Sequence, residues 1–139
     1  MVMAAVERTY GRTLDWFVVR KTGIGGATLV IGGTAQNAIR WTRVLTERAA
    51  RMLWFSLTQG LFPNQSDLLT ARLVTLPIRS SLLPTITHQL FVETRDDGNF
   101  ELVGVTGGQT WTAHLDKQEA ERLWAALNQV LFPLQHGGT

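Results

Sequence analysis

A stretch of 23 residues occurs twice in this chain. Trp41 to Pro63 is followed seventy residues later by Trp111 to Pro133, and an ungapped alignment of the two makes eleven of the 23 positions identical. At ordinary residue frequencies about one or two identities are expected by chance. The chain is therefore a tandem duplication in which each half repeats one supersecondary unit. The two copies pair four of the five tryptophans, Trp41 with Trp111 and Trp54 with Trp124.

The composition is that of a globular protein. The chain has 139 residues, of which 45% are hydrophobic and 17% are charged, and this predicts a single domain with a sizeable core. We place the repeats at about 1–63 and 64–133, followed by a short tail at 134–139. Cysteine is absent, which excludes disulfides and thiolate metal sites and is typical of a reducing compartment. With no visible secretory signal and no membrane span, the protein is predicted to be cytoplasmic.

Charge is divided unevenly between the halves. Residues 1–63 contain eight basic and three acidic residues, a net charge of +5, whereas residues 64–139 contain five basic and eight acidic residues, a net charge of −3. Two interpretations fit this division. The basic half meets a polyanion, or it meets the acidic half of a neighbouring subunit. Composition alone does not choose between them.

The second copy of the repeat shows where its strand ends and its helix begins. Gly107-Gly108 precede the alternating segment QTWTAHL, which predicts a strand. Asp116 stands three residues before Glu119 in a capping-box arrangement that starts a helix. Transferred to the first copy, this pattern predicts a strand at Ala38–Leu45 and a helix N-cap at Thr46.

Two helices are predicted, at Glu47–Leu61 and Lys117–Leu131. The apolar residues that both copies retain recur at offsets of 3, 4, 7 and 11, which places them on one face of each helix. We expect these two stripes to face the core. The stripes consist of Ala50, Leu53, Trp54, Leu57 and Leu61 in the first helix, and of Ala120, Leu123, Trp124, Leu127 and Leu131 in the second.

The segments before the repeated stretch also correspond, although more weakly. Thr22–Gly26 and Arg95–Asn99 are typical of hairpin turns, and Val30-Ile31-Gly32 matches Leu102-Val103-Gly104. Each half is therefore predicted to be β-β-β-β-α. The remaining strands are predicted at Leu14–Lys21 and Thr85–Thr94, with further strands near Met3–Thr9 and at Leu68–Leu76.

Two ββββα copies in about 140 residues resemble the Whirly and PC4-like single-stranded-DNA-binding superfamily. The resemblance implies an α+β fold in which two antiparallel four-stranded sheets pack with two helices. It also implies that the chain binds single-stranded DNA or RNA and forms a homo-oligomer. It covers the whole chain in topology. The lysine-glycine-lysine-alanine signature of plant Whirly proteins is not matched by the nearest segment, Lys21 to Ala27, so no residue is carried over from it.

The sequence contains no convergent set of catalytic or metal-binding residues. His88, His114 and His136 are scattered and lack metal-ligand spacing. Asp96-Asp97 stand beside Gly98 in a predicted turn, and the glycine-rich segments match neither common phosphate-loop pattern. We therefore predict a protein without catalytic activity, metal or cofactor.

Single-strand nucleic-acid binders combine cations and aromatic rings on a sheet. In the strand Leu14–Lys21, alternation places Trp16 with Arg20 on one face and Phe17 with Lys21 on the other. The next predicted strand places Arg40 opposite the face of Trp41, which we expect to be core. The predicted nucleic-acid-binding residues are Trp16, Phe17, Arg20, Lys21, Arg40 and Arg72.

The alternative hypothesis is a protein-binding assembly factor, or a small accessory subunit of a larger complex. The polarised halves, exposed strand edges and apolar segment Leu82-Leu83-Pro84 favour this alternative. The two hypotheses differ in their salt dependence, because nucleic-acid binding weakens steeply as salt is added.

Overall fold

The computed structural model describes residues 5–23, 26–63, 86–107 and 109–132. The predicted strand Leu68–Leu76, the segment 78–85 and the tail 134–139 lie outside the described residues. Within these residues, three strands and a helix are followed by four strands and a second helix. They are β1 Ala5–Gly23, β2 Gly26–Ala35, β3 Arg40–Leu45, α1 Glu47–Leu61, β4 Ile86–Thr87, β5 Gln89–Thr94, β6 Phe100–Thr106, β7 Gln109–Leu115 and α2 Lys117–Leu131.

The strands form a single mixed sheet. Within the described ranges this sheet has seven strands in the order β4-β3-β2-β1-β7-β6-β5. The pairs β1–β7 and β3–β4 are parallel, and the other neighbours are antiparallel. The prediction of two separate antiparallel four-stranded sheets, which the Whirly and PC4-like resemblance implied, is therefore wrong. The fold is α+β, as expected.

The long strand β1 is the reason for this difference. The sequence predicts two strands, Met3–Thr9 and Leu14–Lys21, but the described residues form one strand that is bent where Gly11 and Asp15 have positive φ angles of 73° and 55°. Residues up to Arg12 pair with β7, and residues from Thr13 pair with β2. Because one strand belongs to both halves, β1 joins them into one sheet.

The two edge strands, β4 and β5, are consecutive in the chain. Only His88 separates them, and its amide donates a hydrogen bond of 3.0 Å to the carbonyl oxygen of Val105. β4 pairs with β3 of the first half, and β5 pairs with β6 of the second. Like β1, this part of the chain therefore contacts both halves.

Both helices begin and end where the sequence predicts. Thr46 caps α1 by accepting a hydrogen bond of 3.0 Å from the amide of Ala49, and Asp116 caps α2 by accepting one of 2.8 Å from the amide of Glu119. The preceding strand β3 begins at Arg40, two residues later than predicted, because the turn from 36 to 39 contains Ala38 with a φ of 68°.

Each helix packs on strands of the other half. α1 packs mainly on β5, α2 packs on β1, and the two helices contact each other. Leu53 and Leu57 of α1 and Leu123 and Leu127 of α2 are completely buried in one shared core. The predicted apolar stripes are confirmed as the core face, with Leu61 and Trp124 half-buried. Because the helices are exchanged in this way, neither half encloses a complete core by itself.

Trp41 and Trp111 lie next to each other, with ring centroids 5.3 Å apart. The Nε1 of Trp41 donates a hydrogen bond of 3.2 Å to Thr13, and the Nε1 of Trp111 donates one of 3.0 Å to Thr87. All four residues are buried. Each buried indole N–H is thus satisfied by a threonine: Thr13 lies in β1, and Thr87 lies in β4, next to β5.

Trp54 and Trp124 show the same reciprocity between the helices. Trp54 donates a hydrogen bond of 3.1 Å to the side chain of Asn128, and Trp124 donates one of 2.8 Å to that of Thr58. Thr58 and Asn128 are equivalent positions of the duplicated segment. The repeated sequence is therefore accompanied by repeated contacts across a pseudo-twofold axis.

Candidate nucleic-acid interface

The pairing of the strands identifies equivalent positions in the two halves. Gly33 lies opposite Trp41, and Gly104 lies opposite Trp111. Gly33 is therefore the counterpart of Gly104, whereas the aligned sequence predicts Gly32. A Cβ at Gly104 would collide with the Trp111 ring, and one at Gly33 would collide with Thr13 and lie 2.8 Å from the carbonyl oxygen of Leu14. Both positions therefore require glycine for close packing.

The outward-facing residues of the first half form a surface that we name the first-half face. Along β3 the exposed Arg40, Thr42 and Val44 alternate with residues that point inward. The same alternation selects the outward residues of β1, β2 and β4. The face consists of Phe17, Val19, Lys21, Thr28, Val30, Thr34, Arg40, Thr42, Val44 and Ile86. None of these ten residues is acidic.

A row of apolar side chains crosses the first-half face. Val19 pairs with Val30, Val30 pairs with Val44, and Val44 pairs with Ile86. Val19 and Val44 are 42% and 37% exposed. Because neighbouring strands lie about 4.8 Å apart, the row is about 14 Å long. Such an apolar row offers a contact surface for another molecule.

The equivalent row of the second half is charged. Glu93 pairs with Glu101, Glu101 with His114, and His114 with Arg12. Glu101 stands three residues before Gly104, just as Val30 stands three residues before Gly33. The Nε2 of His114 lies 3.0 Å from a carboxylate oxygen of Glu101 and 3.0 Å from the guanidinium of Arg95. The equivalent surfaces of the two halves therefore differ in polarity: the row of the first half is apolar, and the row of the second half is charged.

Of the two aromatic candidates, only Phe17 belongs to the first-half face. Trp16 is 9% exposed, and its Nε1 donates a hydrogen bond of 2.8 Å to the carbonyl oxygen of Thr13. A ring held in this way has no free face for a nucleotide base, so Trp16 is corrected from a candidate binding residue to a core residue. Phe17 is half-buried beside Gly32. Its equivalent on the second half is Phe91, which pairs with Val103.

Arg20 is directed away from the first-half face. Its guanidinium donates a hydrogen bond of 2.6 Å to Glu47 and one of 3.1 Å to the carbonyl oxygen of Val130. Burial raises the pKa of Glu47, but the hydrogen bonds and charges of Arg20 and Arg51 outweigh burial and hold the pKa below its ordinary value. The stabilisation from this ion pair is therefore lost only as the pH falls through that lowered pKa. Arg20 links α1 to the end of α2.

Lys21 and Arg40 are exposed at opposite ends of the first-half face. Lys21 pairs with Thr28 of β2, and Arg40 pairs with Thr34 of the same strand. The partners of Lys21 and Arg40 are therefore six residues apart along β2, a distance of about 20 Å. Arg72, the sixth predicted residue, lies outside the described residues. The structure thus brings Phe17, Lys21 and Arg40 onto one surface.

A cleft that the sequence did not predict adjoins this surface. It has a volume of about 300 Å³ and lies between the first part of β1, with Arg8 and Tyr10, and the β2–β3 turn, with Asn37 and Ile39. Arg40 lines the cleft as well as the first-half face. No local pattern marks Arg8 or Tyr10, because the bend of β1 brings them to the turn.

Comparison of the chain with protein-family models, with curated proteins and with solved structures gave no match. The described residues include no group of three or more His, Cys, Asp or Glu side chains that could hold a metal ion. Neither α1 nor α2, the helices of the described part of the chain, is long and apolar enough to cross a membrane.

Proposed function

We propose that this protein binds single-stranded DNA or RNA in the cytoplasm through its first-half face. The observation that carries this proposal is the composition of that face. Its ten residues combine one aromatic ring, two cations, threonines and aliphatic side chains without a carboxylate. The equivalent surface of the other half contains Glu93 and Glu101. A polyanion is attracted to the first surface more strongly than to the second, where these carboxylates oppose its charge.

Each type of side chain has a role in this proposal. Phe17 provides a ring on which a base stacks irrespective of its identity. Lys21 and Arg40 contact phosphates at the two ends of the face, about 20 Å apart along β2. The valines contact the apolar faces of neighbouring bases. Such binding is tolerant of sequence and weakens as salt is added.

Phe17 and its equivalent Phe91 provide a matched test. We expect Phe17→Ala to weaken the binding of a fluorescently labelled single-stranded oligonucleotide about tenfold or more, because stacking on one aromatic ring contributes about 1–3 kcal/mol. Phe91→Ala is expected to leave the affinity unchanged, since carboxylates adjoin that ring. Fluorescence anisotropy at low and moderate salt measures both variants.

Two outcomes of this titration contradict the proposal. Absence of oligonucleotide binding by the wild-type chain at low salt contradicts it directly. Equal effects of Phe17→Ala and Phe91→Ala show that binding does not depend on the first-half face. Thermal unfolding of both variants controls for a general loss of structure.

A second candidate function is self-association through the same apolar row. Two copies that meet in a symmetric dimer place the row of Val19, Val30, Val44 and Ile86 against itself. The face measures only about 14 by 20 Å. Stable interfaces bury about 800 Å² on each partner, so we expect a weak, concentration-dependent dimer.

Val44 and its equivalent His114 provide the matched test of self-association. Val44→Glu is expected to abolish the dimer, because it places a carboxylate from each copy in an apolar interface. His114→Glu is expected to leave it intact, since that position lies on the charged row. Sedimentation equilibrium after nuclease treatment measures the mass. A wild-type monomer at every concentration contradicts this second function.

A further inference from the structure

The cleft beside the first-half face exists because β1 changes its partner. β1 pairs with β2 only from Thr13 onward, and the last pair joins Thr13 to Ala35. Before Thr13 the strand pairs with β7. The β2–β3 turn continues past this point, which leaves a gap in the sheet between the turn and Tyr10.

The wall of the cleft is a stack of two aromatic rings. Tyr10 lies parallel to Trp41, with centroids 4.1 Å apart and planes inclined by 7°. The Nε of Arg43 donates a hydrogen bond of 2.8 Å to the Tyr10 hydroxyl. The guanidinium of Arg8 lies 5.5 Å from the centre of the Tyr10 ring. The ring is therefore held on one side by Trp41 and at its hydroxyl by Arg43, so the cleft is preformed.

The charges that line the cleft favour an anion. Arg8 and Arg40 are exposed, and the described residues that line the cleft with them include no carboxylate. The side chain of Asn37 accepts a hydrogen bond from the amide of Ile39, which leaves its NH₂ group as a donor toward a ligand. A second cleft of the described chain, about 380 Å³ at the β5–β6 turn, has the opposite character. Its charged residues are Glu93, Arg95, Asp96, Asp97 and Glu101.

We infer that the cleft at Tyr10 binds one phosphorylated nucleoside, with the phosphate held by Arg8 and Arg40. Guanidinium groups bind phosphate oxygens through pairs of charge-assisted hydrogen bonds. A volume of about 300 Å³ is at the small end of ligand pockets, which suits one nucleotide and not a longer segment. The choice of a nucleotide over other phosphate esters rests on the proposed function, because the cleft shares Arg40 and Thr42 with the first-half face.

Isothermal titration calorimetry on the full chain tests this inference. Adenosine 5′-monophosphate is expected to bind about tenfold or more tightly than adenosine, because only the former carries the phosphate. Arg8→Gln is expected to weaken the binding of the monophosphate about tenfold, and Arg8→Lys to retain part of it. Arg12→Gln is the matched control and is expected to leave the binding of the monophosphate unchanged. Arg12 lies on the same strand as Arg8, but it forms an ion pair with Asp116 and belongs to the charged row of the second half.

The possible outcomes separate this inference from the proposed function. Equal affinities for adenosine and its monophosphate, or no effect of Arg8→Gln, overturn the cleft site even where oligonucleotides bind through Phe17. Binding of the monophosphate that requires Arg8, without oligonucleotide binding, supports the cleft and contradicts the wider proposal. Inorganic phosphate is the third probe. If it binds as tightly as the monophosphate, the site recognises an anion alone and the nucleotide assignment fails.

Discussion

Replacement of both Lys21 and Arg40 by glutamate is expected to lower the affinity for a single-stranded oligonucleotide about 100-fold at low salt. The double variant removes two phosphate contacts and places two negative charges on a face that has none. Each lost contact reduces the dependence of log affinity on log salt by about 0.7 for single strands. We therefore expect a slope shallower by about 1.4 in anisotropy titrations between about 50 and 200 mM salt.

A control with the same change in net charge is available on the helices. Arg48 and Lys117 lie in the first turns of α1 and α2. Glutamate is favourable at such positions, because the helix dipole is positive there. Arg48→Glu with Lys117→Glu is expected to bind as the wild type does. If this control loses as much affinity as the face variant, binding reflects overall charge and the first-half face is not the site.

Arg20 is omitted from this design because of its contacts. Arg20→Glu would place a second carboxylate beside Glu47 and remove the guanidinium hydrogen bond to Val130. Local unfolding would also reduce binding in that variant, so the result would not show whether Arg20 contacts the oligonucleotide or only stabilises the fold. Lys21 is the better choice, because it is exposed on the first-half face.

Trp111→Ala is expected to destabilise the fold by about 3–5 kcal/mol, the usual cost of emptying a large aromatic site in a core. Trp111 is completely buried, packs against Trp41 and leaves Thr87 without its donor when removed. Domains of this size have a free energy of unfolding of about 5–15 kcal/mol, so much of the stability is at risk. Urea unfolding followed by far-ultraviolet circular dichroism measures this loss.

Trp124 provides the comparison for this loss of stability. It is half-buried and lies on α2, where its Nε1 bonds to Thr58. Because less of its surface is buried, Trp124→Ala is expected to cost less than Trp111→Ala. The reverse order would contradict the importance that we assign to the buried Trp41–Trp111 pair in the core.

The elements predicted most accurately are those that local interactions determine. Both helices and both N-caps agree with the sequence prediction, since a cap requires only a side-chain oxygen and an amide three residues away. The duplication helped, because Asp116 in one copy identifies the role of Thr46 in the other. The hairpin turn at Arg95–Asn99 is likewise confirmed by hydrogen bonds within the turn.

The errors concern partners that are distant in the sequence. Gly11 can serve as a turn or as a bend in a continuous strand, and the local sequence is similar in both cases. Only the pairing of β1 with β7 on one side of the bend and with β2 on the other selects the bend. Parallel pairing has no hairpin signal, so the mixed sheet was not predictable from the strands alone.

The duplication, the helix limits, the apolar stripes and the alternation that places Trp16 and Phe17 on opposite faces all follow from the order of the residues. Which of those faces is covered depends on contacts between segments that are distant in the chain. In the folded chain Trp16 is buried and Arg20 bonds to Glu47. Phe17 is half-buried, and a cleft lies beside Tyr10. The physical reason is that periodicity defines two sides of a strand, whereas the helices of the opposite half determine which side is excluded from water.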